Sequence, residues 1–158
     1  YGPFVHAKLG IAEENSGKLV AKVRETAKEL AEKTRASHVI IDGPPGIGCP
    51  VIASLSGVDL ALIVTEPTLS GSHDAGRVIQ LAAHFNVPAR LVVNKWDINP
   101  SETEKIETFC ASRQVPVVGK IPFARVVMES VIAQKPVTEY TDGALLREIV
   151  GIWEAVRD

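Results

Sequence analysis

Short uncharged runs rich in β-branched residues alternate along this chain with stretches of helical period, a rhythm that leaves few folds open. Val39–Ile41, Leu60–Val64, Leu91–Val93 and Val115–Ile121 read as strands. Their continuous rather than alternating hydrophobicity fits a parallel sheet covered on both faces, where no strand face meets water. A further strand is predicted over Phe4–Leu9. Between the runs, Leu19, Val23, Ala27 and Leu30 recur at helical spacing after Asn15-Ser16-Gly17, which reads as a capped start. More helices are predicted from Ser72 to Phe85, Ser101 to Arg113, Arg125 to Gln134 and Gly143 to Arg157. Residues 1–158 thus read as a single α/β domain with a mostly parallel sheet and helices on both faces. With 46% hydrophobic residues, a chain of 158 buries about 70% of its unfolded surface, so its core needs no metal or disulfide staple.

Charge narrows the function classes. A net charge of −2 with no long single-sign run gives no electrostatic footprint for nucleic acid or an anionic membrane. No run of about 18 apolar residues occurs, so no membrane insertion is expected. Leu145, Ile149, Ile152 and Val156, with Trp153, form an apolar stripe near the C-terminus, but the residues around it are net acidic and an anionic leaflet would repel them. Packing on the sheet is the expected use of that stripe. Two cysteines, Cys49 and Cys110, build neither a disulfide framework nor a self-contained zinc or iron–sulfur site, and a reducing cytoplasm is the expected compartment. His6, His38, His73 and His84 show no metal-ligand spacing. The chain opens at Tyr1 without an initiator methionine, and we expect a fragment or processed piece.

Ligands in open parallel sheets sit at the carboxyl ends of the strands, and the unusual residues fall there. Asp42-Gly43-Pro44-Pro45-Gly46, Thr65-Glu66-Pro67-Thr68, Asn94-Lys95-Trp96-Asp97 and Pro122-Phe123 each follow one predicted strand. A carboxylate ending a buried strand, here Asp42, suits a Walker-B role, in which it accepts hydrogen bonds from water on Mg²⁺. A capping aspartate in a plain turn is the competing reading. The loop favours the first, because Pro44-Pro45 stiffens the backbone while Gly46 and Gly48 expose amides to a terminal phosphate.

Asn94-Lys95-Trp96-Asp97 has the N-K-x-D form by which GTPases read guanine, the carboxylate accepting from the ring N–H and the amino group. The asparagine amide alone can instead pair with adenine, leaving Asp97 to cap the turn toward Ser101. A solvated turn is the third alternative. GTPases place a glycine three residues after the Walker-B aspartate so that its amide meets the γ-phosphate; here that residue is Pro45, which has no N–H, and the glycine comes one later, at Gly46.

Several ordered phrases together resemble the MinD/ParA/Mrp class of P-loop ATPases, over essentially the whole chain. They are Ile41-Asp42-Gly43-Pro44-Pro45-Gly46, Val64-Thr65-Glu66-Pro67 with Asp74, then Asn94 and Ile121-Pro122. Glu14-Asn15-Ser16-Gly17-Lys18-Leu19-Val20, Gly46-Ile47-Gly48-Cys49-Pro50 and Thr65 to Gly71 resemble the MinD-like subgroup with an inserted ferredoxin-like domain. That class holds ATP on an N-terminal K-G-G-x-G-K-[ST] loop, which is absent here, as are the cysteines of the insert. The resemblance thus implies a partial P-loop NTPase-like fold, the C-terminal portion of such a domain, with the P-loop strand and the iron–sulfur cluster in an N-terminal part.

Carried over residue by residue, the resemblance implies that Asp42 organises Mg²⁺-bound water, Gly46 faces the γ-phosphate, Asn94 holds the adenine, and Ile121, Pro122 and Phe123 line the base pocket. Glu66, Pro67 and Asp74 would lie toward the nucleotide or a dimer seam. Cys49 stands where the related nitrogenase iron protein has a cysteine that shares a cluster across its dimer, although a small loop residue before Pro50 is the plainer reading. The implied activity is ATP hydrolysis coupled to electron transfer or cluster handling, in a homodimer with a redox or iron–sulfur partner protein. A GTPase and a nucleotide-independent interaction module are the alternatives.

Overall fold

The computed structural model describes residues 2–7 and 16–157. These fall into two compact units, Tyr1–Val58 and Asp59–Asp158.

In the first unit, α1 (Ser16–Thr34) packs against α2 (Cys49–Leu55). The predicted stripe of Leu19, Val23, Ala27 and Leu30 lies on α1 and is half-buried, while the proposed cap at Asn15 and the preceding Glu14 lie outside the described residues. Contact between the helices is close because Gly17 has no side chain: a Cβ there would meet Cys49 Cβ at 3.3 Å. Arg24 donates to the Ala53 carbonyl and ties α1 to the end of α2, beside the buried Val51 and Leu55. The α2 helix itself corrects the reading of Cys49 as a loop residue. Pro50 is its second residue, a place where the missing N–H costs no intrahelical bond.

Two predicted strands are not found among the described residues. Val39–Ile41 is not in a ladder, and Val39 and Ile40 are 47% and 80% exposed. An apolar run becomes a buried strand only if neighbours pair with its N–H and C=O groups and cover its faces, and no described strand pairs with this one. Phe4–Ala7 also has no strand partner, while Lys8 and Leu9 lie outside the described residues.

The second unit holds the sheet, in which β1 (Ala61–Thr65), β2 (Ala89–Asn94) and β3 (Val117–Ile121) run parallel in the order β1-β2-β3. On one face, Ile63, Leu91 and Val93 pack with Ala75 and Ile79 of α3 (Leu69–His84) and Ile106 and Cys110 of α4 (Pro100–Ser112). On the other, α7 (Ala144–Val156) lies on β3, and a Cβ at Gly119 would come within 2.6 Å of Ile152 Cδ1. Leu145 and Ile152 of the C-terminal stripe are buried there. Two short helices, α5 (Arg125–Ile132) and α6 (Val137–Tyr140), connect β3 to α7.

The crossovers turn sharply without glycine. Phe85 ends α3, Asn86 takes a left-handed φ of 56°, and Val87 N–H reaches back to the Ala82 carbonyl at 2.9 Å. Gln114 (φ 57°) and the Val115 N–H to Cys110 carbonyl bond repeat the arrangement after α4. The returning N–H satisfies an orphan carbonyl while the following valine packs back on the helix end, so each chain enters the next strand already aimed at the sheet.

Candidate functional site

Three of the four predicted rim loops belong to the second unit. At the end of β1, Glu66 is half-buried and Pro67 fully buried. Thr68 caps α3, its hydroxyl accepting from Gly71 N–H at 3.0 Å. Any side chain at Gly71 would collide with the Glu66 carbonyl oxygen, so the first turn of α3 rests directly on the β1 loop. At the ends of β2 and β3, Asn94 and Ile121 are register partners, which sets Asn94 beside Ile121-Pro122-Phe123. Asn94 is half-buried, and its carboxamide makes no hydrogen bond among the described residues.

These loops are tied to one another. Lys95 Nζ lies 2.7 Å from Glu66 Oε1, joining the β2 end to the β1 end. Phe123 N–H donates to Asp97 Oδ1 at 2.7 Å, joining the β2 end to the β3 end. Lys95 is left-handed (φ 54°), and unlike Arg35, Asn86, Gln114 and Gln134 it does not follow a helix. A lysine held there stores backbone strain, a recurrent feature of functional loops. The 3₁₀ turn Trp96–Ile98 that follows is held by Thr103, whose hydroxyl donates to the Trp96 carbonyl at 2.8 Å, and by Lys120 Nζ, 5.3 Å from the centre of the Trp96 ring.

The cap expected of Asp97 belongs instead to Asn99, whose Oδ1 accepts from Glu102 N–H at 3.2 Å one residue before Pro100 opens α4. Neither cross-loop tie was read from the sequence. A signal existed, because adjacent parallel strands bring the residues just after their ends together, and Glu66, Lys95, Asp97 and Phe123 all occupy such places. Also missed was the buried Glu102, which accepts from the Ser72 hydroxyl at 2.6 Å and from Lys105 at 2.9 Å. Those two donors hold its carboxyl below the ordinary glutamate value of 4.5.

A cavity of about 280 Å³ lined by Ser72, Ile79, Leu91, Ile106, Phe109 and Cys110 among others lies between α3, α4 and β2. It shares no residue with the rim. Burial, with the Glu107 carboxylate adding to it, pushes the Cys110 thiol above its ordinary value.

Asp42, Gly46 and Cys49 lie in the first unit. Asp42 is exposed at the end of the unpaired Val39–Ile41 run. Gly46 has φ +87° with open space around its absent Cβ, so the backbone conformation and not crowding calls for glycine there. Cys49 is exposed as the first residue of α2. His6, His38, His73 and His84 are exposed, and Asp74 Oδ1 lies 3.6 Å from His73 Nδ1. Among the described residues, no group of three or more His, Cys, Asp or Glu side chains is placed to hold a metal ion, and no helix is long and apolar enough to cross a membrane.

The second unit is therefore an α/β parallel-sheet domain with interlocked polar loops at its strand ends. No family model matches the chain. It is 41% identical over 97 residues to the uncharacterized protein MJ0578 of Methanocaldococcus jannaschii, a match covering 61% of this chain and 34% of that protein. It is 40% identical over 76 residues to the septum site-determining protein MinD of Bacillus subtilis, covering 47% of this chain and 28% of the relative. Among solved structures, MinD of Pyrococcus horikoshii in complex with Mg-ADP superposes with a TM-score of 0.69 at 19% identity, over 90% of this chain and 56% of that one. The chain thus matches about a third or less of these two curated relatives. Sequence relatives and structural neighbours agree on one class: the chain has the fold of the MinD/ParA-like P-loop ATPases and is similar to them in sequence.

Proposed function

We propose that this chain is the C-terminal part of a MinD-like ATPase and supplies its adenine pocket. The observation that carries the reading is the half-buried Asn94, whose unengaged carboxamide stands in register with Ile121 and beside Pro122 and Phe123. A carboxamide can both donate to and accept from an adenine edge, and the neighbouring loop offers apolar surface for its ring. The complex of the Pyrococcus horikoshii relative with Mg-ADP supports a nucleotide with Mg²⁺ as the ligand. Asp42 would position Mg²⁺-bound water and Gly46 would offer its amide to the terminal phosphate. Glu66-Pro67 borders the pocket through the Lys95 ion pair.

In the intact protein we assign nucleotide hydrolysis, in a cytoplasmic homodimer, to the driving of electron transfer or cluster handling by an iron–sulfur domain or a redox partner. This chain's own residues do not fit a cluster, since Cys110 is sealed in the core and Cys49 is then a single ligand. Any cluster belongs to another part of the protein.

Calorimetric titration tests the reading. Mg·ATP should bind the longer parent protein and be weakened there by Asn94→Ala, while Asp42→Asn lowers turnover more than affinity. The chain alone should bind Mg·ATP weakly or not at all, because phosphate contacts dominate such sites. Micromolar binding by the isolated chain would overturn the half-site reading, and a parent protein that binds no nucleotide would establish an interaction module instead.

A further inference from the structure

We propose that Asp97 is a positioning residue of the base pocket, holding the Pro122–Phe123 segment after β3 in place through the Phe123 amide instead of reading the base itself. This rests on the adenine reading above and assigns to the aspartate of an N-K-x-D pattern a different task from the one its spacing suggests.

The geometry is specific. A guanine reader presents both carboxylate oxygens to the base, and its lysine stem packs over the ring. Here Asp97 Oδ1 already accepts from Phe123 N–H at 2.7 Å, a charge-assisted bond at the short end of the normal range. Lys95 is likewise engaged, 2.7 Å from Glu66. The turn bearing Asp97 is held independently of any ligand, by Thr103 at the Trp96 carbonyl and by Lys120 over the Trp96 ring. Phe123 is 55% exposed, so its own side chain gives the segment little packing support, and the amide bond ties that segment directly to the turn after β2. A rigid turn therefore holds a less well packed loop by one backbone N–H, and that loop is the one beside Asn94. Base choice then falls to Asn94, while Asp97 sets how well the pocket is preorganised.

Two variants separate this role from a structural one. Asp97→Ala removes the acceptor, whereas Asp97→Asn keeps a carboxamide oxygen that can take the same N–H. In the nucleotide-free chain, amide exchange at Phe123 should quicken by about tenfold in Asp97→Ala and return most of the way in Asp97→Asn, with β2 and α4 amides unchanged. In the parent protein, ATP affinity should fall by about tenfold in Asp97→Ala, recover in Asp97→Asn, and keep the same ATP-to-GTP ratio in all three forms. Equal ATP affinity in wild type and Asp97→Ala, or unchanged Phe123 exchange, would overturn the positioning role and leave the adenine reading standing. A wild-type preference for GTP that vanishes in Asp97→Ala would overturn both. Failure of the wild-type parent protein to bind any adenine nucleotide would overturn the adenine reading, and the role of Asp97 with it, even if the exchange result holds.

Discussion

Ile40 and Leu91 occupy runs of the same apolar character in the two compact units, yet Ile40 is 80% exposed and Leu91 is fully buried. The difference lies in their neighbours. Leu91 sits on the middle strand of three, with β1 and β3 supplying hydrogen bonds on both sides and α3 and α4 closing over its side chain. Ile40 has no described strand beside it, so its apolar surface gains nothing from position. The same contrast reaches the loops. Those at the ends of β1, β2 and β3 are joined by an ion pair and a charge-assisted hydrogen bond, whereas the 42–48 loop is shaped by its own prolines and by Gly46. Rim geometry in the second unit thus follows from the sheet beneath it, whose paired strands bring the residues after their ends within reach of one another.

The largest effect expected from this contrast is Leu91→Ala. It removes a side chain with no exposed surface from the core of the second unit and should lower that unit's stability by about 4 kcal/mol. Both tryptophans, Trp96 and Trp153, lie in this unit, so urea unfolding followed by tryptophan fluorescence reports on it alone. A loss below about 1 kcal/mol would mean that the core around β2 is far looser than its burial implies.

Legibility follows the same division. All three strands of the second unit and the helices α3, α4, α5 and α7 were predicted within a few residues, because each apolar period found the partner it anticipated. Val39–Ile41 carries an equally good strand signal, but periodicity reports that a surface wants cover and not that cover is present. The helix at Cys49–Leu55 was missed because Gly48 and Pro50 read as loop residues, although glycine before a helix and proline in its first turn are both compatible with a start. At the site, the grouping of Asn94 with Ile121, Pro122 and Phe123 came from the family resemblance, and the strand pairing that sets Asn94 beside Ile121 came from the structure. The partners of Lys95 and Asp97 were missed: the parallel rhythm says that neighbouring strand ends meet, but motif spacing alone does not say which ends are neighbours.

A second, smaller effect concerns pH. Glu102 holds its proton less readily when folded, through the Ser72 hydroxyl and the Lys105 ammonium. Its folded value therefore lies below the unfolded value near 4.5, so its contribution is complete above that value and is lost as pH falls through the lower, folded one. Between roughly pH 6 and pH 3 the second unit should lose stability more steeply in wild type than in Glu102→Gln, which has no such proton to take up. Urea midpoints at several pH values measure it, and parallel curves for the two proteins would show that the Ser72–Glu102–Lys105 contacts contribute nothing to folding. The substitution lies in the second unit and leaves the first unit's own Lys22–Glu25 pair on α1 intact, so amide exchange in α1 and α2 should follow pH identically in both proteins.

The smallest effect is the most instructive. Ile40→Ser replaces a strongly apolar residue in a predicted strand, which in a paired and covered β-run would cost several kcal/mol, about as much as Leu91→Ala. In this chain Ile40 is 80% exposed and outside any ladder, so the change should alter stability by no more than about 0.5 kcal/mol. Protection of the α1 and α2 amides measures the first unit directly, because those helices form its packed part. A marked loss of protection would show that Val39–Ile41 is already a paired strand and would erase the contrast between the units. The converse experiment sharpens it. In the longer parent protein proposed above, a neighbouring strand would give Val39–Ile41 its ladder, and Ile40→Ser should then cost about 2 kcal/mol or more. A cost near zero in both proteins would mean that the run before Asp42 stays outside the sheet, and it would remove the buried-strand support on which the Walker-B reading of Asp42 depends.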